Sequence, residues 1–196
     1  MRALLAVYVA AQLFSHLPAG EAKAQASLTY GGYTSLVYAT GILGGMIADR
    51  YLGYQRSIIL GGLLMAVGCF MLLSPEIHLF LIGLAVIVAG NGLFKPNIST
   101  MVGKLYAPGD VRRDSGFTIF YMGINAGAFV APLITAVWIG ANYGYKYGFL
   151  AAAIGMIFGI AVFQVRKGML GHVGKSPAGR EGWGPVLNVL VGAILL

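Results

Sequence analysis

Five long uncharged runs divide this sequence: Ala24 to Ala48, Ser57 to Pro75, Ile77 to Phe94, Ser115 to Tyr145 and Tyr147 to Val165. Each is long enough for a helix to cross about 30 Å of hydrocarbon, which takes roughly 20 residues. None alternates apolar and polar positions as the strands of a membrane barrel do. Two further apolar runs lie at the ends, Ala3 to Gly20 and Gly182 to Leu196. The polar links at Leu52 to Arg56, Ser74 to Glu76 and Tyr106 to Asp114 are too short to hold a soluble domain. The pattern predicts one all-α integral membrane unit.

Composition strengthens this reading. With 58% hydrophobic residues, 10% charged residues and a mean hydropathy of +0.81, the chain has too little polar surface for a soluble domain of 196 residues. Of its 13 lysines and arginines, nine lie in three places: Arg50 and Arg56; Lys104, Arg112 and Arg113; and Arg166, Lys167, Lys175 and Arg180. The alternate links hold only Lys23 and Lys146. The positive-inside rule puts the first group in the cytoplasm, so the net charge of +7 reports topology. Basic residues split among short loops form no nucleic-acid stripe.

The two ends carry their own expectations. Arg2, an apolar run through Phe14 and the small residues Ala19, Gly20, Ala22 and Ala24 fit a secretory signal, and they equally fit the end of a longer first helix. The glycine-rich stretch from Arg166 to Trp183 reads as a flexible cytoplasmic connector. The domain plan is therefore a transmembrane bundle over 1–165, a connector over 166–183 and the start of a further helix over 184–196.

Polar residues inside the spans point to chemistry. Lys95 stands in an otherwise uncharged run from Leu79 to Gly103, followed at once by Pro96. An ammonium deep in a bilayer is costly and usually meets a cavity, partner or ligand. Snorkelling of its stem to the interface is the structural alternative. Asn91 lies one turn deeper on the same face and Asn97 just beyond, which favours the cavity. Tyr121 and Asn125 share a second polar face at the same spacing. Tyr38 sits deep in its span, whereas Tyr30 and Tyr33 read as interfacial anchors.

Other residues suggest packing or a latch. Glycines four apart, Gly41 and Gly45, Gly123 and Gly127, Gly155 and Gly159, are candidate helix contacts. Asp49 at a helix C-terminus opposes the macrodipole and calls for a positive partner, an arginine such as Arg50 or Arg56 or a neighbouring helix N-terminus. A clasp at the cytoplasmic surface is the expectation. His16, His78 and His172 lie at a helix end or in loops and receive no role. Cys69 is the lone cysteine, and no metal site, cofactor site or phosphate-binding loop is expected.

Three motifs resemble those of the proton-dependent oligopeptide transporters of the major facilitator superfamily. GGMIADRYLG, Gly44 to Gly53, is similar to the superfamily's loop motif; GNGLFKPN, Gly90 to Asn97, to the family's fourth-helix lysine motif; and FTIFYMGINAGAF, Phe117 to Phe129, to its second signature. The resemblance covers nearly the whole chain and implies the N-terminal six-helix bundle of that fold plus the start of one additional helix.

The same resemblance carries functional expectations. It implies symport of di- and tripeptides with protons across the inner (plasma) membrane, with no enzymatic activity. Arg2 resembles the second arginine of the first helix, which faces the peptide. Lys95 resembles the lysine of substrate binding and proton coupling. Tyr38 and Asn125 match positions contacting the peptide backbone, and Tyr121 joins them. The family's E-x-x-E-R-F motif precedes a segment like the opening MRALLAVY, so the resemblance implies a chain clipped at both ends that lacks the C-terminal bundle. It leaves the signal reading of the first residues weak. Two rivals stand beside this reading: the same fold carrying nitrate or another small metabolite, and a non-transporting membrane fragment that self-associates.

Overall fold

The computed structural model describes residues 18–176 and 184. They are all-helical, as the hydrophobic runs predict. Helix α1 spans Ala19–Ile47 and widens into a π-helical turn at Ala48–Leu52. Helices α2 and α3 span Tyr54–Met71 and Ile77–Lys104. Helix α4 runs Arg112–Pro132, continues as π-helix through Leu133–Gly140 and closes with an α-turn at Ala141–Tyr143. Helix α5 spans Tyr145–Arg166 and ends in a 3-10 turn, Lys167–Leu170. Among the described residues, four helical stretches, those of α2 to α5, are long and apolar enough to cross a membrane. The expected count of six helices is not reached within the described residues, which hold five. Arg2 and most of the expected first span fall in 1–17, outside them, as does nearly all of the 184–196 segment.

The core lies between α1, α2, α3 and α5. Tyr33 and Val37 of α1 pack with Met65 and Cys69 of α2, Leu72 just after it, Phe80, Leu84 and Ile87 of α3, and Phe149 of α5. Phe80 and Phe149 meet edge to face at 6.4 Å, the arrangement that ring quadrupoles favour. Tyr33, expected at the interface, is instead a core residue at 8% exposure. Helix α4 differs: none of Arg112–Pro132 is buried, and it meets α5 chiefly through its π-helical part.

Glycine makes the close crossings, at positions other than the expected pairs. A methyl at Gly61 would stand 2.5 Å from the Gly90 carbonyl oxygen, and one at Gly68 2.7 Å from that of Gly83, so α2 and α3 touch backbone to backbone. Gly44 of α1 meets Gly92 of α3 in the same way. Around Gly41, Gly45, Gly123, Gly127, Gly155 and Gly159 the space is open within 4 Å. Four-residue spacing finds a shared face but not which face meets a neighbour.

The three basic segments assigned to one side by charge meet at one end of the bundle. The stretch after α5 folds back there: the Gln55 amide donates to the Val173 carbonyl at 2.7 Å, the Gln55 backbone N–H to the Gly174 carbonyl at 2.9 Å, and the Ser176 hydroxyl to the Leu52 carbonyl at 2.8 Å. Part of the connector expected to be flexible is thus a strap laid across the start of α2.

Candidate functional site

The α1–α3 crossing sets the site. Gly92 lets α3 approach Thr40, whose hydroxyl donates to the Leu36 carbonyl of its own helix at 2.9 Å and reaches the Val88 carbonyl of α3 at 3.2 Å. Asn97, 1% exposed, donates from one amide to the Gly44 carbonyl at 3.2 Å and to the Leu93 carbonyl at 2.7 Å. With the backbones fixed in this way, Lys95 projects from α3 over the Tyr38 ring of α1, its ammonium 5.1 Å from the ring centre. Both side chains are exposed at the helix surface, Tyr38 at 59%. A cation over an aromatic face gains roughly 0.5–1 kcal/mol at an exposed site, enough to orient the group and leave its donors available to an anion.

The neighbouring asparagines divide their work. Asn91, expected to accompany Lys95, is half-buried, and its amide turns toward the Met65 sulfur of α2 at 3.9 Å. Its carbonyl oxygen is buried without a hydrogen-bond partner, as is that of Asn97. Tyr121 and Asn125 stand exposed on α4, and Tyr121 lies against Phe117 and Phe120 of its own helix, with ring centres at 6.3 and 5.7 Å. The geometry therefore joins Lys95 with Tyr38 and leaves the α4 pair exposed. Arg2 lies outside the described residues.

The loop expected to act as a clasp has an unexpected partner. Asp49 accepts a hydrogen bond from the Tyr54 hydroxyl across the turn at Gly53, and Lys104 of α3 places its ammonium 4.4 Å from the centre of the Tyr54 ring. The positive charge thus stands one ring away from Asp49. Arg50 is exposed on the π-helical turn and Arg56 half-buried in the first turn of α2. A phenol that donates to a carboxylate while facing a cation links the ends of three helices, a role that residue type alone does not disclose.

An ion pair fixes the start of α4. The Arg112 guanidinium binds Asp110 at 3.0 and 2.8 Å, and the Arg112 backbone N–H adds a third bond at 2.9 Å. These donors bring the Asp110 carboxyl down to about 2. Among the described residues no group of three or more His, Cys, Asp or Glu side chains could hold a metal ion.

Comparison with known proteins gives this geometry a setting. The sequence profile of the POT family matches residues 55–181. The di-/tripeptide transporter of Lactococcus lactis subsp. lactis is 44% identical over 183 residues, which is 91% of this chain and 36% of that protein. The peptide transporter YePEPT of Yersinia enterocolitica is 42% identical over 167 residues, 84% of this chain and 32% of its own length. This chain thus spans about a third of the curated relatives that it matches. Among solved structures, a mutant of the peptide transporter POT in complex with alafosfalin superposes with a TM-score of 0.79 at 40% identity, covering 99% of this chain and 41% of that one. A POT family transporter in complex with 5-aminolevulinic acid gives a TM-score of 0.79 at 32% identity, over 99% of this chain and 41% of its own.

Proposed function

Because this chain belongs to the POT family, we propose that it supplies part of a symporter that carries di- and tripeptides with protons across the inner (plasma) membrane. The observation that carries the reading is Lys95 over Tyr38, a cation on an apolar helix long enough to cross a membrane beside a phenol of the neighbouring α1. A transporter indifferent to peptide side chains grips the termini and amides common to all its cargo. Ammonium, phenol and carboxamide groups are suited to that task. Lys95 takes the peptide carboxylate, Tyr38 presents its hydroxyl beside it, and Tyr121 and Asn125 contact the peptide from α4, with Arg2 as a second cation. Lys95, as the cation that meets the carboxylate, is the residue through which cargo and proton movement are coupled. Asp49 with Arg50, Arg56 and Tyr54 steadies one conformation, and the remaining contacts come from a C-terminal bundle against which this half rocks. The named relatives and the basic end of the bundle support both the cargo and a cytoplasmic placement of that end.

An exchange tests the proposal. This chain replaces the matching 183-residue segment of the lactococcal transporter, and proton-driven dialanine uptake is measured. The chimera is expected to transport, and Lys95→Ala to abolish uptake at unchanged expression; transport that survives Lys95→Ala overturns the assignment. Because one structural neighbour holds 5-aminolevulinic acid, a small amino acid as cargo is the second reading, and competition against dialanine separates the two.

A further inference from the structure

A cavity of about 670 Å³ opens at the basic end of the bundle, between the start of α2, the end of α3, the α3–α4 link and the strap. Its wall carries Lys104, Arg113 and Lys175, with His172 and the phenol of Tyr106, and none of its lining residues is acidic. Two nearby carboxylates are engaged, Asp49 by Tyr54 and Asp110 by Arg112, and Asp114, next to Arg113 in the chain, does not line the cavity. Lys104 and Arg113 lie against aromatic faces, those of Tyr54 and Phe117, which hold their positions without neutralising them. Three like charges gathered round a shared space repel one another unless an anion enters.

What kind of anion is decided by the surroundings. The cavity sits where α3 gives way to α4, and α4 leaves Ile119 and Met122 71% and 65% exposed beyond it, with Leu105 and Val111 exposed at its rim. A cationic end joined to an apolar wall suits an amphiphile better than a free ion. We propose that this cavity binds the phosphodiester headgroup of an anionic phospholipid, with Lys104, Arg113 and Lys175 as its ligands and the Ile119 and Met122 side of α4, about a third of a turn from Tyr121 and Asn125, as the bed of an acyl chain. The strap supplies Lys175, so the bound lipid also bridges the segment after α5 to α3 and α4.

The test is native mass spectrometry of the purified chain in neutral detergent, titrated with phosphatidylglycerol, phosphatidylcholine or inorganic phosphate. Phosphatidylglycerol is expected to bind at least tenfold more tightly than phosphatidylcholine. Lys104→Gln and Lys175→Gln each weaken it about fivefold. Lys146→Gln, which alters a lysine at the far end of α5, some 30 Å away by helical rise, leaves it unchanged. Circular dichroism checks folding, and Lys175→Gln in the exposed strap serves if the α3 variant does not fold. Equal binding of the two lipids, or equal losses from all three variants, overturns the site. Saturation by inorganic phosphate that phosphatidylglycerol cannot displace overturns the lipid as its source.

Discussion

The ammonium of Lys95 stands 5.1 Å from the centre of the Tyr38 ring, an α3 cation facing an α1 phenol beside the Gly44–Gly92 crossing. Two substitutions separate what the phenol does. In the lactococcal chimera, Tyr38→Phe keeps the ring under the cation and loses one hydrogen-bonding hydroxyl, for an expected fivefold weaker dialanine Kd, about 1 kcal/mol. Tyr38→Leu removes the ring as well and weakens binding by about a further threefold. Equal losses would assign the contact to the hydroxyl alone.

The backbone crossings predict a sharp asymmetry among glycines only three residues apart. Gly44→Ala drives a methyl into the Gly92 carbonyl, and overpacking of this kind costs about 1–3 kcal/mol. Gly41→Ala meets nothing within 4 Å. Thermal unfolding in detergent is expected to show Tm lowered by about 2–4 °C for each kcal/mol in the first variant and no loss in the second. A matching fall in both would place the α1–α3 contact elsewhere.

At the strap, Gly53 combines a φ of 74° with contact to its partner: a methyl there would lie 2.6 Å from the Ser176 nitrogen. Gly53→Ala therefore strains the turn and lifts the strap together. Limited trypsin digestion should cut after Lys175 several times faster in this variant than in the parent chain. Unchanged cleavage would mean that the strap holds without the Leu52 and Gly174 bonds.

Much of this architecture was legible in the sequence, because span length and charge distribution act through the bilayer and need no knowledge of contacts. The five runs became α1 to α5 with most boundaries shifted by a few residues and the end of α3 moved outward from Phe94 to Lys104, since uncharged windows stop at charges such as Lys95 and Arg112 that a helix readily includes. The three basic segments do share one end. Contact partners were less legible. A Tyr54 hydroxyl, an Asn97 brace and a Gln55 anchor depend on which helix lies opposite, and composition carries no record of that. Tyr33 illustrates the limit: its residue type fits a membrane interface, yet its neighbours place it in the core. Asn91 likewise shares the period of Lys95 but turns to α2, because one helix face is wide enough to serve two neighbours.

Asp110 gives a prediction in pH. Bonds from the Arg112 guanidinium and backbone N–H lower its carboxyl from 3.8 to about 2, so the folded state favours the ionised form. The contribution of a depressed carboxylate is complete above the unfolded value and disappears as pH falls through the folded one. The Asp110–Arg112 contact should therefore persist unchanged from pH 7 to pH 5 and fade between about pH 4 and pH 2. Carboxyl carbon chemical shifts at Asp110 provide the reading; a midpoint near 4 would show that the ion pair does not form in solution.

The seam between α2 and α3 bears on how this protein can change over generations. Gly61 faces Gly90 and Gly68 faces Gly83, seven residues apart on each helix, so the two antiparallel backbones rest on each other, with the side chains of Met65, Met71 and Ile87 closing in around them. Most of a helix drifts by small steps, one methylene exchanged for another as its neighbours adjust. Here the smallest available step, a single methyl, already meets a carbonyl that cannot swing aside. A saturation library at these four positions should return glycine almost alone, while the open positions 41, 45, 123 and 127 accept many residues. Change at the seam is all or none, because the backbone itself is the neighbour that would have to give way.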